Sequence, residues 1–149
     1  MSVSPLRRFA LLTVLAVVSF QCAPVRKPQF DRERDHFCTS GNYSKSHPMI
    51  CVDDATLAAD PDSAHVFNVQ PDANNHPSNK PVVIHWFAQH GGDIQIKFLN
   101  TSCVDQLHCE GGHCVAVVRT QSSHTTCKYE ISIGDMKKDP DIVVDPCCW

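Results

Sequence analysis

No stretch of this chain is apolar for the roughly 20 residues that a membrane-spanning helix needs. The longest uncharged apolar run, Phe9 to Phe20, is shorter and stands near the N-terminus. Familiar catalytic signatures are missing too. There is no Gly-x-Ser-x-Gly elbow, no phosphate-cradling glycine loop, no His-Glu-x-x-His and no Cys-x-x-Cys. Asp53-Asp54 is an acidic pair beside a turn, where solvent rather than a reaction is the expected partner. Nothing therefore argues for an enzyme, and a protein without catalysis is expected. Basic residues are also few, 13 Lys and Arg against 16 Asp and Glu. With Arg7 and Arg8 set aside, 11 remain against the same 16, a net charge of −5. A mildly acidic chain without a basic stripe is a poor partner for nucleic acid or an anionic membrane surface.

What is present begins with export. Arg7-Arg8 followed by the Phe9–Phe20 run has the flanks and length of a secretory signal peptide, assigned here to residues 1–22. Cys22-Ala23 directly after it resembles the start of a bacterial lipoprotein, in which that cysteine carries lipid. Ser19-Phe20-Gln21 departs from the usual small-residue approach to such a site. Free secretion and a lipid anchor on Cys22 both stand as expectations, placing the protein outside the cell or in the cell envelope. Residues 23–48 are polar and of mixed charge, as in a linker. Residues 49–149 remain for one domain.

Nine cysteines are present. Beyond Cys22 they are Cys38, Cys51, Cys103, Cys109, Cys114, Cys127, Cys147 and Cys148. An even set behind an export signal reads as a disulfide framework whose connectivity the sequence leaves open. Cys147 and Cys148 are adjacent, and each is expected to bond elsewhere and tether the C-terminus.

From Met49 onward, short apolar runs alternate with turn residues. The runs are 49–52, 65–69, 81–88, 93–98, 113–118, 126–133 and 141–145. Ile94, Ile96 and Phe98 alternate with Gln95 and Lys97, the period of a half-buried strand. Residues 81–88 are apolar on both faces, as in a central strand, and Gly91-Gly92 predicts a hairpin joining this run to the next. Residues 71–81 read as a loop, and 53–59 as a helical turn ended by Asp60-Pro61. The fold class expected is all-β, an antiparallel β-sandwich of about seven short strands stabilised by disulfides. The segments PVVIHWFAQHGGDIQIKF (81–98), CKYEISI (127–133) and DPDIVVDP (139–146) resemble small exported bacterial domains of unassigned function. That resemblance, over roughly 49–146, implies a cupredoxin-like or immunoglobulin-like sandwich.

The stretch HCEGGHC, His108 to Cys114, carries the sharpest question. Imidazoles and thiolates are ligands for copper and zinc. His85, His108, Cys109 and His113 form the candidate metal set. Copper in the cupredoxin manner would take His85, Cys109 and His113, but no methionine follows closely. Zinc would find the right ligand types at spacings that match no zinc template. Read structurally, Glu110 to His113 can turn a hairpin that sets Cys109 opposite Cys114, while Cys114 could instead bridge to another strand. The main expectation is a non-enzymatic binding or structural protein with no cofactor, taking an unknown protein or small-molecule ligand. The alternative is an exported copper- or zinc-binding protein.

Overall fold

The structure, a computed structural model, describes residues 36, 38–39, 43–100 and 102–147. Twelve strands account for most of them: β1 (Met49–Val52), β2 (Ala59–Asp60), β3 (Ser63–Phe67), β4 (Val69–Pro71), β5 (Pro77–Pro81), β6 (Val83–Ala88), β7 (Gln95–Phe98), β8 (Val104–Glu110), β9 (His113–Val118), β10 (Thr125–Ile133), β11 (Met136–Lys138) and β12 (Asp141–Asp145). One sheet runs β2-β1-β6-β9-β8. The second is built on β10, which pairs with β7, β11 and β12, with β3 beyond β12. The protein is an all-β sandwich stapled by disulfides.

The core follows from strand periodicity. Alternate residues of a strand face one side, and the inward set is apolar in both sheets. From the first sheet come Ile50, Val52, Ile84, Trp86, Ala116 and Val118. The second supplies Val66, Ile96, Phe98, Tyr129, Ile131, Ile142 and Val144. Trp86, Phe98 and Tyr129 meet at centroid distances of 5.6 to 6.0 Å, in edge and offset arrangements that aromatic quadrupoles favour.

The observed topology differs from the expected one in three respects. First, β6 and β7 are not a hairpin. β6 lies between β1 and β9, while β7 pairs with β10 in the other sheet. The Gly91-Gly92 segment is a crossover, not a hairpin, opened by a turn in which the Gly91 N–H donates to the Ala88 carbonyl at 3.1 Å. Asp54 holds it, accepting the His90 N–H at 2.8 Å and the Gly92 N–H at 2.7 Å. Burial raises the Asp54 pKa, but these bonds and the His90 side chain outweigh it and hold the carboxyl below its usual range. Second, two pairings are parallel, β1 with β6 and β3 with β12. Third, residues 71–81 contain the short β4–β5 hairpin, and 53–59 is a turn in which the Asp53 carboxylate accepts the N–H groups of Ala55 and Thr56.

β11 and β12 form one interrupted strand against β10. Lys138 pairs with Ile131 and Asp141 with Lys128, so the register carries through Asp139-Pro140 unchanged. Proline cannot donate to a ladder, which explains the break at that point. Within the stretch expected to be linker, the described residues 43–48 dock on β3. The Tyr43 hydroxyl donates to the His65 carbonyl at 2.6 Å, and the Phe67 N–H donates to the Lys45 carbonyl at 2.9 Å. This contact occupies part of an edge that would otherwise present unpaired backbone.

Candidate functional site

The HCEGGHC stretch is the β8–β9 hairpin. Glu110 pairs with His113 and Cys109 with Cys114, leaving Gly111 and Gly112 as the turn. Their φ angles of 55° and 81° are the positive values that a two-residue hairpin turn of the favoured twist demands. Cys109 and Cys114 are joined across the strands with Cα atoms 4.0 Å apart. Cys109 is therefore no thiolate ligand. A Cβ on Gly112 would stand 2.7 Å from the Gly92 carbonyl oxygen. We expect Gly112→Ala to cost about 2 kcal/mol in chemical denaturation, from strained φ plus this clash.

The remaining cysteines divide by position. Cys38 bonds Cys51, tying the N-terminal segment to β1. Cys103 bonds Cys127 across the two sheets, and both are fully buried. Cys147 is disulfide-bonded as well. Cys22, Cys148 and the signal assignment lie outside the described residues.

The structure brings two of the candidate metal ligands together. His85 of β6 and His113 of β9 lie on the outer face of the first sheet. His85 Nδ1 and His113 Nε2 are 3.0 Å apart, and the rings are parallel within 4°. Phe87 lies flat on His113 at 4.5 Å between centroids. Phe87 is fully buried, yet it stands outside the sandwich core cluster. Its burial belongs to the outer face. His108 is exposed on β8 and faces Glu110 at 3.7 Å. His90 is in the crossover, bonded to Asp54 rather than aligned with β6. Among the described residues, no group of three or more His, Cys, Asp or Glu is placed to hold a metal.

Two features were not anticipated. At the C-terminal end of β12, Asp145 is buried, and three donors converge on it. Lys45 Nζ lies at 2.8 Å, His65 Nδ1 at 3.2 Å and His124 Nδ1 at 2.6 Å. Burial pushes its pKa up, but the bonds from Lys45, His65 and His124 prevail and hold it below the usual carboxylate range. Beside it, buried Asn68 donates to the Gln121 carbonyl at 2.7 Å and accepts the Cys147 N–H at 3.3 Å.

The second feature is a groove of about 360 Å³ on the open side of the sandwich, where β7 and β8 face each other. Ile96, Phe98, Val104 and Leu107 give it apolar walls, with Lys97, Asp105, Gln106 and Arg119 around them. A bulge between Asp105 and His108, with Gln106 at φ 53°, shifts the β8 register by one residue. Such bulges re-aim side chains at sheet edges. Leu107 is left 36% exposed at the groove. Arg119 grips the Asp105 carboxylate through Nε and Nη2 at its rim.

No protein-family model matches the chain, and no curated protein matches its sequence. The Cys38–Cys51, Cys103–Cys127 and Cys109–Cys114 bridges point to surroundings that let thiols oxidise. No helix among the described residues is long and apolar enough to cross a membrane.

Proposed function

We propose that this is an exported, non-enzymatic binding module whose ligand contact is the β7–β8 groove. The observation that carries the reading is the groove's composition. Apolar walls with a few polar groups at the rim are the usual make-up of a ligand cleft, and about 360 Å³ falls within the range of such clefts. The signal peptide at 1–22, with either free secretion or a lipid on Cys22, accords with the oxidising surroundings that the disulfides need. The likeness to cupredoxin-like or immunoglobulin-like exported domains is part of the same proposal.

The test is a backbone amide NMR screen of the oxidised protein with small apolar and amphipathic fragments. Binding is expected to move the amides of Ile96–Phe98 and Val104–Leu107 together. Leu107→Lys, at a partly exposed position, should leave the fold intact and abolish those shifts. Shifts clustered elsewhere, or shifts unchanged by Leu107→Lys, would remove the groove from the account.

A further inference from the structure

We propose that His85 and His113 form a binding site for a monovalent coinage-metal ion, copper(I) in nature and silver(I) as its redox-inert probe. The argument starts from how the two rings meet. Their centroids are 5.3 Å apart while the facing nitrogens are 3.0 Å apart. The difference is the sum of two ring radii. The centroid-to-centroid line therefore runs through both nitrogens. With the planes parallel within 4°, the rings are coplanar and end to end. A ring nitrogen's in-plane valence points radially outward, so Nδ1 of His85 and Nε2 of His113 point straight at each other.

As placed, the two rings share one N–H···N hydrogen bond, one donating and the other accepting, and an ion entering between them displaces that proton to the donor ring's other nitrogen or to solvent. It also selects among metals. Zinc and copper(II) need several ligands whose lone pairs converge from well-separated directions. Two opposed imidazoles suit a filled-shell ion that accepts two ligands in line. A metal–imidazole bond is about 2 Å, so a linear ion asks for nitrogens about 4 Å apart. The pair would have to open by roughly 1 Å, within reach of small side-chain rotations.

The surroundings suit such an ion. Both histidines stand on neighbouring antiparallel strands rather than on loops, and the Cys109–Cys114 bridge braces β9 at its start. Phe87 fixes the plane of His113 by lying against its face. The site is independent of the β7–β8 groove and goes beyond the proposed binding role.

Silver nitrate is titrated into the folded, oxidised full-length chain in chloride-free buffer, and the imidazole nitrogens are followed by long-range proton–nitrogen NMR. One equivalent should move His85 Nδ1 and His113 Nε2 together, and zinc at the same concentration should leave both in place. His85→Gln and His113→Gln should each weaken silver binding at least 100-fold, and His108→Gln less than twofold. Copper(I), in competition with a colorimetric chelator, should follow the same order. Unmoved imidazole signals in the wild-type protein would overturn the proposal without reference to any variant. So would equal silver affinity in a folded His85→Gln protein.

Discussion

Replacing Cys103 and Cys127 together by alanine is expected to cost about 3 kcal/mol and to lower the melting temperature by roughly 12 °C. The bridge closes a separation of 24 residues, and cross-link stabilisation grows with the loop closed in the unfolded chain. It also joins elements that no backbone ladder connects. Cys103 leads into β8, the edge of the first sheet, whereas Cys127 lies within β10 of the second. Both sulfurs are buried in the core, so alanine leaves unfilled volume as well. The comparison is Cys109→Ala with Cys114→Ala. There the separation is five residues and the partners are already paired in one ladder, so the expected cost is smaller, about 2 kcal/mol. Calorimetry on both double variants decides the matter. An equal or reversed order would contradict the role assigned to the inter-sheet bridge.

Asp145→Ala is the second substitution with a large expected effect, about 2–3 kcal/mol at neutral pH. It removes the acceptor shared by Lys45, His65 and His124, which come from the N-terminal turn, β3 and the segment before β10. Those cationic or proton-donating groups then face one another around an apolar methyl. The pH dependence has a definite sign. A carboxyl held below its ordinary pKa binds fewer protons folded than unfolded. Its contribution is complete above the ordinary value near about 4, and is lost as pH falls through the lower, folded one. The wild-type protein should lose stability more steeply than Asp145→Asn in that acid window, with urea midpoints as the readout. Asp54 should add to the acid loss in both proteins. Parallel midpoint curves for the two would remove Asp145 from the account.

Much of the sandwich was legible because its inward faces obey period two. Ile94, Ile96 and Phe98, and Tyr129 and Ile131, are buried where alternation places them. The hairpin at HCEGGHC was legible for a local reason: two glycines allow the positive φ angles, and the flanking cysteines fall opposite by register. Its strand β8 was not. Val104-Asp-Gln-Leu-His-Cys-Glu110 lacks clean alternation because the bulge at Gln106 shifts its phase midway. Gly91-Gly92 misled in the opposite direction. A local turn signal cannot distinguish a hairpin from a crossover, and the deciding contacts, from Asp54, lie some 36 residues earlier. Asp145 was hidden for a similar reason, since Lys45, His65 and His124 meet it only through tertiary structure. Of the four candidate metal residues, His85 and His113 came together, Cys109 is held in its bridge, and His108 stands apart with Glu110.

The central claim is that disulfides, rather than a thiolate metal centre, organise this domain and its HCEGGHC hairpin. Non-reducing peptide mapping of the protein, alkylated before digestion, tests it directly. The account predicts linked peptides for Cys38–Cys51, Cys103–Cys127 and Cys109–Cys114. Alkylated Cys109 or Cys114 in the folded protein would contradict it and return thiolate ligation to the hairpin.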